Sequence, residues 1–182
     1  RMRLVGSEMC IRDRALAIAG ILALSITPTV SFADHIGYTV DMLRDGKEGG
    51  WRMDWRHADL NKANMKKIDL RNTVLMDATL NEATLDGANL SNANLRNAKF
   101  RKASLRGVKF QGADLKGAIL KDAEMQNANF SGANLTSAGL SNGKLKNAVL
   151  ISANLSNANL SNADLRNAFV NKADLSSAFL VL

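Results

Sequence analysis

Two units, Ala153-Asn154-Leu155-Ser156-Asn157 and Ala163-Asp164-Leu165-Arg166-Asn167, carry the pattern that decides the fold. Outward from them, every fifth residue from Leu60 to Leu180 is apolar. Of these 25 positions 19 are Leu, and the others are Phe100, Phe110, Phe130, Met65, Met125 and Val170. Two residues before each stands Ala in 21 of the 25 units; the exceptions are Ile68, Thr73, Val108 and Gly143.

A period of five suits neither regular secondary structure. On a helix the apolar row would drift by ~140° per unit and form no face. A continuous strand would place residue i+2 on the same side as the apolar residue i, yet that position is nearly always Asn, Gly, Ser, Lys or Asp. The chain must therefore run as a very short strand and turn a corner in every unit, with the small residue i−2 and the large residue i pointing in. Gly87, Gly107, Gly112, Gly117 and Gly132, and Asn at many other i+2 positions, suit a corner that needs positive φ. Self-similarity at a short fixed period means a solenoid.

The quoted units closely resemble the pentapeptide-repeat family, whose motif reads Ala-Asp/Asn-Leu-x-x, and the resemblance covers about 58–182. It implies an all-β fold, a right-handed quadrilateral β-helix with four units and 20 residues per coil. About six coils at ~4.8 Å each give a rod of roughly 30 Å. Some members imitate DNA and bind gyrase, modulating quinolone sensitivity, through a negatively charged rod. This chain departs from that requirement, with a net charge of +7 and a pI of about 9.8. An intracellular regulator or protector of a DNA enzyme such as gyrase is the alternative functional reading, and it is set against by this charge and by the leader.

The domain reading has three parts: a leader over 1–33, a cap segment over 34–57 and the β-helix over 58–182. Arg12 and Arg14 precede the apolar run 15–24, and Ser31-Phe32-Ala33 follow before Asp34. That order reads as a bacterial signal peptide with a cut after Ala33, which predicts a periplasmic or secreted protein. The run is too short for a membrane span of ~20 residues. Residues 1–11 resemble translated sequencing-adapter read-through, and the chain stops at Leu182 inside a repeat, so truncation at the C-terminus is expected. Cys10 and Pro28, the single Cys and Pro, both fall in the leader. The first coil needs a cover for its strand edges. Thr39 is the expected N-cap of a helical turn over 40–45 with Gly46 as its stop, and Trp51, Met53 and Trp55 are expected to lie over the first coil.

In a 20-residue coil, residues 20 apart are neighbours. Alternating charge then forms three ladders: Lys62, Glu82, Lys102 and Asp122; Glu124, Lys144 and Asp164; Lys66, Asp86 and Arg106. Arg96 with Lys116, and Arg101 with Lys121, break the alternation. With Lys99 and Lys102 they make a candidate anion-binding face around Phe100. Between 96 and 121 stand eight Lys/Arg against one acid, Asp114, which equals the net charge of the whole chain. Val149, Ile151, Phe169, Phe179 and Val181 are outward apolar residues, a candidate self-association or cap surface and the route to a possible homodimer.

Little chemistry is on offer. His35 and His57 lie apart, and no phosphate loop, nucleophile elbow or metal-ligand spacing appears. No enzyme activity, cofactor or metal is expected. Charge permits nucleic-acid binding, but no stacking aromatics interleave with the cations. The expected partner is an unidentified protein or an anionic envelope polymer.

Overall fold

The computed structural model describes residues 41–44 and 51–181. From residue 54 onward the chain winds as a right-handed quadrilateral β-helix. Each parallel bridge outside the entry hairpin joins residues 20 apart, from Asp54 with Val74 to Asn159 with Phe179. One coil is therefore four units, and the sides of the square are four columns. We name them by a core residue: the Phe100 face (Leu60 to Leu180), the Met125 face (Met65 to Leu165), the Phe110 face (Leu70 to Val170) and the Trp55 face (Trp55 to Leu175).

The corners follow from backbone chemistry. Every i+2 residue from His57 to Ser177 has φ between 55° and 68°. The next Ala N–H donates back to the apolar residue's carbonyl, as Ala83 does to Leu80 at 3.2 Å. One positive φ at the third residue of a four-residue turn is the type II pattern. In the middle coils three further N–H groups of each unit pair with adjacent coils: Thr79 with Ala58 O, Leu80 with Lys99 O and Glu82 with Arg101 O, at 2.7–2.9 Å. The fifth, at i+1, has no backbone partner, and in a few units a side chain one coil below accepts it, as Asn81 Oδ1 does from Arg101 N. In many units the side chain at i−1 accepts it, as Asn129 Oδ1 does from Ser131 N at 2.9 Å and from Ser131 Oγ at 2.7 Å. This is the physical reason for Asp or Asn before the Leu: its oxygen satisfies a donor the solenoid would otherwise leave unpaired.

Inside, the Leu and Ala rows are fully buried over the middle coils. Phe110 and Phe130 stack along their face with centroids 4.9 Å apart, and Phe100 meets Phe110 edge-on from the opposite side at 6.4 Å. Buried Thr73, standing in an Ala position, donates its hydroxyl to Leu70 O at 2.7 Å.

The entry to the rod differs from expectation. In place of a helical turn, β1 (Asp41–Arg44) pairs antiparallel with β2 (Trp51–Asp54). Asp54 at the end of β2 then bridges Val74 in the coil above. Pairing with β2, itself continuous with the first coil, overrides the local helix signals. Thr39, Gly46 and the whole leader lie outside the described residues. Trp55 is also reassigned: it is 3 % exposed and occupies the apolar row one unit before Leu60. It is core, not cover.

Candidate anion-binding face

The corners position the predicted cations. Lys99 stands at i−1 in the middle of the Phe100 face. Arg96 and Lys116 stack on the corner before it, and Arg101, Lys102 and Lys121 on the corner after it. All six are exposed. Arg96 is partly neutralised: its Nη1 lies 3.4 Å from Asp114 Oδ2. Lys99, Arg101, Lys102, Lys116 and Lys121 have no carboxylate within 4 Å among the described residues. Backbone hydrogen bonding fixes their base: Arg101 N donates to Asn81 Oδ1 at 3.0 Å, and Lys102 N to Lys121 O. The arrangement is a frame of exposed cations, five of them without a carboxylate partner among the described residues, able to bind anions.

The charge ladders hold only in part. Lys62 reaches Glu82 at 3.9 Å and Lys144 reaches Glu124 at 2.8 Å. Lys102 pairs with neither of its neighbours, and Asp86 accepts from Ser104 Oγ and Arg106 N instead of meeting a cation. The recurrent pairing is between i−1 and i+1. It occurs within a unit for Asp54–Arg56, Asp69–Arg71 and Asp164–Arg166, and diagonally between coils for Arg96–Asp114 and Arg106–Glu124. Three carboxylates are made more acidic by such contacts. The hydrogen bond from Arg166 holds Asp164 down at about 2. Arg71 lowers Asp69, and Lys144 with Arg106 lowers Glu124, against the opposing effect of partial burial.

The predicted apolar surface is not one patch. Val149 bridges Phe169 on the Phe110 face, beside Ile151. Phe179, bridged to Asn159, and Val181 belong to the opposite, Phe100 face. Ile151 and Phe169 are 40 % and 54 % exposed, while Val149 is half-buried. The sequence reading missed that Val170, Leu175 and Leu180, all core-row residues, are also exposed in the last coil.

Family models agree with this architecture. A family model described as pentapeptide repeat region matches residues 52–130, and one described as pentapeptide repeats (8 copies) matches 113–150 and 144–180. The chain belongs to the pentapeptide-repeat family. Proteins of this family are generally non-enzymatic structural modules. Similar solved structures include alr5209, a pentapeptide repeat protein from Nostoc (28 % identity, 70 % of this chain and 84 % of that one, TM-score 0.36). Another is Rfr23 from Cyanothece (20 % identity, 71 % and 91 %, TM-score 0.34). A third is QnrB1, a plasmid-mediated fluoroquinolone resistance protein (21 % identity, 70 % and 79 %, TM-score 0.35). No curated protein sequence matches the chain.

Proposed function

We propose that this pentapeptide-repeat protein is a non-enzymatic, exported rod that serves as a rigid binding or structural module and contacts anionic envelope polymers through its basic face. The observation that carries this reading is the group of five unpaired cations, Lys99, Arg101, Lys102, Lys116 and Lys121, on one face and its two corners. Elsewhere on the rod Glu82, Glu124 and Asp164 are paired with Lys or Arg; on this face the only carboxylate in such contact among the described residues is that of Asp114 on Arg96. Cations exposed in this way keep their attraction for a polyanion because little internal pairing must be broken first. The leader supplies the second support, since a signal peptide delivers the rod to a compartment rich in such polymers.

Reversing Arg101 and Lys121 to Glu tests the site. Both side chains are exposed, so the rod should form as before, with an unchanged circular-dichroism spectrum and melting temperature. Binding to an anionic polymer, measured by calorimetry, should be abolished; unchanged binding rules the face out. The second surface supports a narrower reading, self-contact through Val149, Ile151 and Phe169. Phe169→Asp should then yield monomers in sedimentation, and a sedimentation profile identical to the wild type would dismiss it.

A further inference from the structure

The cations are arranged around the girth of the rod and not along it. Lys109, exposed and without a carboxylate partner among the described residues, stands at i−1 in the middle of the Phe110 face, and Arg106 occupies the corner between it and the Met125 face. From Arg96, the basic residues run across the Phe100 face, past Arg101 and Lys102, past Arg106, and on to Lys109. Lys116 and Lys121 repeat the corners one rung higher. The fourth face closes the girth with Asn94 and Asp114 and no cation. Below this belt, residues 54–86 carry six acids against five Lys/Arg, and above it 122–181 carry four of each.

This distribution restricts the shape of the ligand. The belt is two rungs tall, with rungs ~4.8 Å apart, and a side of the square, three extended residues, measures about 10 Å. Its path from Arg96 to the middle of the Phe110 face covers two and a half sides, roughly 25 Å. A straight polyanion laid along the rod leaves the belt almost at once and meets coils with no net positive charge. A duplex laid across it meets one face only, because its persistence length of ~50 nm prevents it from turning two corners. A flexible single chain can follow the whole belt.

We propose that the rod is an anchor for a single, flexible, linear polyanion that wraps transversely around its waist, from the Phe100 face over the Met125 face to Lys109. The inference rests on the anion-binding reading of the Phe100 face and adds a path, a direction and a further contact residue. Arg96 and Arg106 are held by Asp114 and Glu124, so the working cations are Lys99, Arg101, Lys102, Lys109, Lys116 and Lys121. With six phosphate contacts at ~0.7 ions released per contact, log K should fall with log salt at a slope of about −4.

The test uses the full chain with long-chain polyphosphate, tripolyphosphate and duplex DNA, with affinities measured across a salt series. Long-chain polyphosphate should show the steep slope, and tripolyphosphate, with three groups to place, a slope of roughly −2 or shallower. Lys109→Glu should weaken long-chain binding about tenfold while leaving tripolyphosphate within about twofold, since a short ligand fits on the Phe100 face alone. Unchanged long-chain binding by K109E, with binding lost in R101E/K121E, overturns the wrapped path and leaves the face reading standing. No loss in either variant overturns both. Duplex DNA binding more tightly than the long chain overturns the flexible-chain assignment.

Discussion

Gly143 is the one inward i−2 position with no side chain, and its replacement by Ala gives a sharp test of the packing. A Cβ there would lie 2.7 Å from Met125 Cε and 2.8 Å from Leu140 O, both inside normal contact. The backbone is not in the left-handed region, so Ala carries no conformational penalty and gains ~0.4–1 kcal/mol from a stiffer unfolded chain. Against this stands overpacking of a filled core, which costs ~1–3 kcal/mol. The Met125 methyl occupies the space that an Ala fills in other units. The clash should win, and G143A should lose about 1–2 kcal/mol, a fall of roughly 2–8 °C in melting temperature for a chain of this size. Shortening the obstacle should partly reverse the effect. M125L/G143A removes the methyl contact, though not the one with Leu140 O, and should recover part of the loss, with a favourable coupling of at least ~0.5 kcal/mol in the double-mutant cycle. Urea melts of the four proteins provide the measurement. A single variant as stable as the wild type, or a double variant no better than the single, refutes the claim that Met125 fills the Gly143 gap.

Two further predictions concern the surface bonds. Asn134 Oδ1 accepts from Thr136 N at 3.1 Å and Thr136 Oγ1 at 2.7 Å, and its Nδ2 donates to Asp114 at 3.0 Å. Asn134→Ala should therefore lower stability by about 1–2 kcal/mol in denaturant melts, whereas no loss would show that water serves the Thr136 N–H equally well. Asp164 is held at about 2 from an ordinary value of 3.8, chiefly by Arg166, and Asp69, Glu124 and Asp174 are lowered too. Depressed carboxylates contribute stability that is present above their unfolded values and is lost as pH falls through the folded ones. Melting temperature should decline between pH 4 and pH 2, more gently in D164N; equal pH profiles would remove Asp164 from the cause.

The sequence exposes the solenoid because each unit repeats the same burial demand, so Leu60 through Leu180 report the fold before any coordinate is seen. Trp55 escaped because Met53 stands two residues before it where the motif has Ala, although the core holds the indole. The role of Asn129 and its equivalents was also hidden: outward position follows from alternation, but the orphan N–H at i+1 becomes visible only when the coil's hydrogen bonds are traced. Residues 20 apart were correctly placed as neighbours, yet reach decides pairing, and long Arg side chains lean to the carboxylate at i−1 of their own unit or of the next coil. That is why Arg96 proved to be paired and why Lys102 stayed free. The cap failed for a similar reason: helix signals at Thr39 and Gly46 are local, and a strand continuous with the first coil is not.

The basic face can meet an envelope polymer only if the rod is displayed outside the cytoplasm, so compartment is the decisive question. The measurement is the intact mass of the protein in fractionated bacterial cells, expressed from the region near Arg12 with a start codon. A periplasmic species beginning at Asp34 is the predicted result. An uncleaved species confined to the cytoplasm would contradict the account.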